Sequence, residues 1–173
     1  MKNILISATL ASAICAVTPA VAQQRVGAHE DWAVYTADSP KECWLVSNAA
    51  KVENTRGGKP ALNVNRGDIL LYVTYLPAQK IVGEVSFGGG YPFKSGQAIK
   101  LEIGTATYDM LADGEYAWSA SPEIDTKIRV SMTKGANAVV RAESSRGTKT
   151  KDTFSLKGFT AALKDVKSRC GVS

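Results

Sequence analysis

One histidine and three cysteines in 173 residues leave little material for a metal centre or a catalytic dyad. His29 stands in the polar run Gly27-Ala28-His29-Glu30, where no spacing supplies a second nitrogen or a thiolate. It reads as an exposed histidine ahead of the first strand. No Cys-x-x-Cys pair is present, which argues against a redox centre. The triple glycine Gly88-Gly89-Gly90 lacks a following helix and a lysine-serine ending, so it is no phosphate loop. Repeats, low-complexity stretches and clustered carboxylates are also missing. These absences point away from an enzyme, a metal and a cofactor, and the lack of a basic-aromatic platform points away from nucleic acid.

What remains is ordinary: 45% hydrophobic and 21% charged residues, the balance of a folded chain. The length fits one domain and can bury a core without a dense set of staples.

The N-terminus reads as an address. Lys2 gives a positive start, Ile4 to Val17 is apolar, and Ala20-Val21-Ala22 places small residues for cleavage before Gln23. The apolar stretch is shorter than the ~20 residues a membrane span needs. A cleaved secretory signal over residues 1–22 is expected, leaving a single domain at 23–173 with no transmembrane segment. Ile14 before Cys15 argues against a lipidation site, and Cys15 would leave with the signal. Cys43 and Cys170 then remain, and an even pair in an oxidising compartment predicts one disulfide, tying an early strand to the C-terminus.

Along the rest of the chain the hydrophobic period is mostly two. Asp31 to Thr36 and Glu42 to Ser47 alternate around Asp38-Ser39-Pro40, predicting a hairpin. Residues 48 to 65 lose the pattern, and 56–60 reads as an exposed loop. Asp68 to Pro77 is apolar on both faces, the mark of a strand covered on both sides. Further strands are expected at 80–87, 97–103, 105–110, 115–118, 136–144 and 148–156. Ser121-Pro122-Glu123 has the chemistry of a helix start, with Ile124, Ile128 and Met132 on one face. A last helix begins near Gly158, with Phe159, Ala162, Leu163 and Val166 as its apolar stripe. Eight or nine short strands with one or two short helices predict a mainly all-β antiparallel sandwich. Trp32, Trp44 and Trp118 are expected to fill its core.

Charge is uneven. Residues 23–133 carry 11 Lys/Arg and 13 Asp/Glu, a net of −2, whereas residues 134–173 carry 9 and 3, a net of +6. Arg146, Lys149, Lys151, Lys164, Lys167 and Arg169 form a candidate basic surface for a protein partner or an anionic envelope component. A second candidate is the loop at Gly90, Tyr91 and Phe93, which could lie as a lid over a small-ligand site at the sandwich end. Arg66-Gly67-Asp68 spells the tripeptide of integrin ligands, yet it leads directly into the most apolar strand. A structural place at the strand entrance is expected for it.

Several pieces occur in a distinctive order: Asp31-Trp32-x-Val34-Tyr35, Cys43-Trp44, Arg66-Gly67-Asp68, Gly90-Tyr91-Pro92-Phe93, Ala117-Trp118 and Ser145-Arg146-Gly147-Thr148. They are followed by Asp152-x-Phe154-Ser155-Leu156-x-Gly158-Phe159-Thr160-x-Ala162-Leu163 and a final Cys170. Over roughly residues 30 to 172 this order resembles the invasion-associated locus B family of bacterial envelope proteins. The resemblance implies an exported protein of Gram-negative bacteria with an immunoglobulin-like sandwich; a place in the periplasm is expected, with outer-membrane association or secretion as alternatives. The family's name implies a link to host-cell invasion, and the family offers no catalytic residues to carry over.

Overall fold

The computed structural model describes residues 23–172. The expected signal segment 1–22, with Cys15, lies outside the described residues, as does Ser173. The chain runs β1 (Gln24–His29), β2 (Trp32–Asp38), β3 (Lys41–Asn48), β4 (Lys51–Arg56), β5 (Lys59–Pro60), β6 (Leu70–Leu76), β7 (Ile81–Gly88), β8 (Ile99–Ile103), β9 (Ala106–Asp113) and β10 (Tyr116–Ser119). Helix α1 (Pro122–Lys134), β11 (Asn137–Glu143), β12 (Lys149–Ser155) and helix α2 (Phe159–Cys170) complete it.

The strands pair antiparallel in one twelve-stranded sheet of order β1-β2-β3-β6-β7-β10-β9-β8-β11-β12-β4-β5. Only Ala49 and Ala50 separate β3 from β4, and they donate to opposite edges. Ala49 N–H bonds Ile69 O on the β6 side (3.1 Å), and Ala50 N–H bonds Thr153 O on the β12 side (2.8 Å). The hydrogen-bonded path therefore returns to itself through β3 and β4, and the sheet curls around its own apolar face. The two-sheet immunoglobulin-like sandwich is not what the pairing shows. Period-two strands report that one face is buried; they do not report whether the covering layer is a second sheet or the same sheet curled over.

The inner face carries the core. Val34, Leu45, Leu71, Val73, Val85, Phe87, Leu101, Val140 and Phe154 are fully buried. Each such side chain contributes about 1.5–3 kcal/mol relative to exposure. Trp32 belongs to this core, meeting Phe159 edge-on at 5.0 Å and donating its indole N–H to Ser155 O. Trp44 and Trp118 do not. They alternate with Leu45 and Ala117 and stand on the opposite face of the sheet; Trp44 is buried there at 9% exposure, outside the main cluster, and Trp118 is half-exposed, so the expectation of a core role fails in full only for Trp118.

Both helices form where their caps and stripes predict. The Ser121 hydroxyl accepts Ile124 N–H, Pro122 opens α1, and Ile128 and Met132 are buried. Helix α1 takes over the edge of β7 beyond the end of β10. Asp125 Oδ1 accepts Val85 N–H (2.7 Å), and Arg129, one turn later, donates to Gly83 O. Two side chains on one helix face thus stand in for a neighbouring strand. Helix α2 packs on β1, β2 and β3 through Phe159, Ala162 and Val166. The disulfide Cys43–Cys170 locks its last turn to β3, as the cysteine count predicts.

Two strands depart from the sequence reading. β1 overlaps the polar run at Gly27–Glu30 and β4 lies in the stretch that loses the pattern, yet both are paired strands, β1 with a bulge at Val26. Their side chains are polar or half-exposed on both faces, so neither shows a buried period. The expected 56–60 loop is the turn of the β4–β5 hairpin, with Gly57 and Gly58 at positive φ.

Candidate functional site

A buried ion pair organises one end of the sheet. Arg66 donates from Nη1 to Asp152 Oδ1 (2.7 Å) and from Nη2 to Asp152 Oδ2 (2.6 Å). The two side chains are 4% and 0% exposed. Arg66 also donates to Gly89 O through Nε (3.1 Å) and Nη2 (2.8 Å), and its guanidinium lies 4.8 Å from the centre of the Tyr91 ring. Tyr91 in turn bonds Thr150 through its hydroxyl (2.6 Å). Burial raises the Asp152 carboxyl above its usual range, against the pull of Arg66's hydrogen bonds. Burial likewise pushes the Tyr91 phenol up to about 12, with the Thr150 bond and the Arg66 charge opposing.

This network sets the backbone beside it. Gly67 N–H bonds Gly90 O (2.9 Å), and the two glycines touch. Gly90 has φ +68°, and a side chain there would meet the Gly67 backbone at 2.6 Å. Arg66 is turned inside as a structural cation, while Asp68, two residues on, is exposed. The tripeptide therefore stands at a strand entrance, as its sequence context predicts.

The aromatic rings of the glycine loop plug the sheet end. Tyr91 and Phe93 are each 8% exposed and meet edge-on at 5.1 Å, and Phe87 lies against Phe93. The loop backbone is held by Phe93 N–H to Gly114 O, Lys94 N–H to Glu143 O and Ser145 N–H to Pro92 O. Gly90, Tyr91 and Pro92 nevertheless form one wall of an open groove of about 500 Å³ that also includes Arg56, Leu62 and Arg146.

The outer face of β2, β3, β6, β7 and β10 carries a second run of aromatics. Register places Tyr35 beside Trp44 and Val46 beside Tyr72; Ser86 then lies between Tyr72 and Trp118. Tyr35 and Trp44 stack at 5.3 Å and 7°. Tyr72 and Tyr116 both approach Gly88, and Tyr116 lies 6.0 Å from Trp118. Burial, Tyr116 and Asp68 together raise the Tyr72 phenol. Tyr35, Trp44, Leu70 and Tyr72 line a depression of about 720 Å³ rimmed by Arg25, Glu30, Asp31, Asn48 and Asp68. A smaller one of about 190 Å³ shares Asp68, Leu70 and Tyr72 with it, and shares Gly90 and Glu115 with the arginine-lined groove. The three depressions adjoin through these shared walls.

The candidate basic residues fall in three places. Arg146 lines the end groove. Lys149 and Lys151 stand on the outer face of β12, where Lys151 pairs with Glu53 (3.3 Å). Lys164, Lys167 and Arg169 are on α2, where Arg169 bonds Asp165 (2.7 Å). The same Asp165 bonds His29 Nε2 (2.9 Å), so the histidine read as a lone exposed group instead ties β1 to α2. Among the described residues no group of three or more His, Cys, Asp or Glu is arranged to hold a metal ion. No helix there is long and apolar enough to cross a membrane.

The curled antiparallel sheet, the two packed helices and the β3–α2 disulfide define a mainly-β domain of disulfide-stapled type. The family model for the invasion associated locus B (IalB) protein matches residues 32–167, and the chain belongs to that family. No curated protein and no solved structure matches it.

The aromatic face was not recognised in the sequence as a site. Its signal was present: Trp44, Val46, Leu70 and Tyr72 occupy the strand phase opposite to Leu45, Leu71 and Val73. An apolar second phase on an antiparallel strand calls for a cover or a ligand.

Proposed function

We propose that the protein is an exported, non-catalytic envelope protein that binds an envelope component in the aromatic groove. Lys2, the apolar run 4–17 and Ala20-Val21-Ala22 support export, as does a disulfide of the kind formed in oxidising compartments. One observation carries the binding reading: Tyr35, Trp44, Tyr72 and Tyr116 stand on the outer sheet face and line two neighbouring depressions that share Asp68, Leu70 and Tyr72. Most apolar side chains outside a core are scattered singly; a contiguous aromatic run rimmed by polar groups marks a binding surface. The test is co-sedimentation of the purified protein with envelope fragments. Tyr35→Ala/Tyr72→Ala should lower the bound fraction at least tenfold while the far-ultraviolet circular dichroism of the folded protein is kept, and undiminished binding would contradict the reading.

A second reading rests on the outer face of β12, β11 and β8. Lys151, Arg141 and Lys100 are direct cross-strand neighbours there, giving three cations in one row. Glu53, Glu102 and Asp109 pair with them. The three carboxylates offset the charge of that row, so a salt-sensitive affinity for an anionic envelope component rests on Lys149, two residues from Lys151 on the same face, and is lost in Lys149→Glu/Lys151→Glu. Host-cell contact, which the family's description suggests, requires the protein outside the outer membrane. Surface labelling of intact cells tests that location.

A further inference from the structure

We infer that the ligand of the aromatic groove is a linear, uncharged oligosaccharide lying across the three adjoining depressions; this rests on the groove-binding reading above. The first argument is the backbone. β3, β6, β7 and β10 are each paired on both sides, so the groove floor offers no free ladder of N–H and C=O groups. An extended peptide draws its affinity from such a ladder, and on this floor it would find side chains alone; the free edge of β1 lies at the rim, by Arg25.

The second argument is the lining. A pyranose presents a flat C–H face and an equatorial belt of hydroxyls. The C–H face packs on the electron-rich face of an aromatic ring. The hydroxyls need acceptors and donors beside that ring. Tyr35 and Tyr72 provide rings in the depression of about 720 Å³, with Asn48 and Asp68 exposed next to them. Tyr116 provides a ring in the small depression, with Glu115 beside it. A lipid chain would instead need an unbroken apolar wall, which the interleaved carboxylates interrupt.

The third argument is charge. The depression at Tyr35 and Tyr72 sets Glu30, Asp31 and Asp68 against Arg25 alone, whereas the end groove sets Arg56 and Arg146 against Glu115. A uniformly charged polymer would be repelled at one end, and a neutral one is not. The shared walls at Tyr72 and Gly90 give the site length, so affinity should grow with chain length until the last depression is filled.

The test is calorimetric titration with two defined probes, cellohexaose and the hexamer of N-acetylglucosamine, each beside its dimer. At least one hexamer should bind, at least tenfold more tightly than its dimer. Tyr116→Ala, at an exposed position, should lower hexamer affinity at least threefold and leave the dimer unchanged. Tyr35→Ala/Tyr72→Ala should abolish both. Equal affinity for hexamer and dimer overturns the connected site. Failure of both sugars, or of glycans released from the envelope, overturns the oligosaccharide assignment. If the Tyr35→Ala/Tyr72→Ala protein still loses envelope binding in that case, the groove reading survives; if it binds normally, that reading falls too.

Discussion

Arg66 and Asp152, 86 positions apart, meet through two parallel hydrogen bonds in the interior. The pair joins the segment before β6 to the inner face of β12, and Gly89 O and Asn54 Oδ1 accept the guanidinium's other hydrogen bonds. A buried charge left alone is far more costly than a buried pair. We expect Arg66→Ala or Asp152→Ala to destabilise the protein by about 3–5 kcal/mol. The double change Arg66→Met/Asp152→Leu should cost less than either single one. Urea unfolding of the three variants checks this, and additive losses would show that the two charges act independently.

The Cys43–Cys170 bond closes a loop of 127 residues. In the chain-entropy account, a cross-link over a loop of that order contributes about 4–5 kcal/mol by restricting the unfolded chain. Cys43→Ala/Cys170→Ala should lower the urea midpoint by a corresponding amount. The end of α2 should lose amide protection first, because its last turn is held there. Hydrogen exchange reads the second effect directly.

Asp165 gives the pH dependence. Burial alone would raise its carboxyl, but hydrogen bonds from His29 and Arg169 and the Arg169 charge hold it below the usual range. An aspartate in an unfolded chain titrates near ~3.9. A folded pKa below that stabilises the fold above the unfolded value and loses its contribution as pH falls through the folded one. Asp165→Asn should therefore flatten the decline of melting temperature at the acid end, below pH ~4, and leave the neutral profile parallel. A variant whose acid limb matches the unmodified protein would contradict the assignment.

Tyr91 gives the alkaline counterpart. Its phenol is pushed up to about 12, chiefly by burial. A raised acid contributes stability that is present below the unfolded pKa of ~10 and is lost as pH rises toward the folded value. Ultraviolet titration should show a phenol ionising near 12 that is missing in Tyr91→Phe. A Tyr91 step near the ordinary value would mean that the ring is not plugged into the sheet end.

Local chemistry carried much of this fold. Ser121-Pro122 starts α1, Asp113-Gly114 turns β9 into β10, and the phase of Trp32 and Val34 marks the inner face of β2, whereas β6, read as covered on both sides, buries only Leu71, Val73 and Tyr75 fully. β1 and β4 escaped because a strand without a buried period looks like a loop. The curl of the sheet escaped because pairing between β4 and β12 joins segments about a hundred residues apart. The pairing of His29 with Asp165 is likewise a product of topology. Asp152 did leave a trace: it shares its strand phase with Thr150, Phe154 and Leu156, which puts a carboxylate on the core face and demands a buried cation.

The most direct measurement is photo-cross-linking in intact cells from a light-activated residue placed at Asn48, on the groove rim, with Lys127 on the exposed side of α1 as control. We expect one envelope component to be captured from position 48 and nothing comparable from position 127. Tyr35→Ala/Tyr72→Ala should abolish the capture. Capture that is equal from both positions, or that survives loss of the two rings, would show that the aromatic groove is not the binding site.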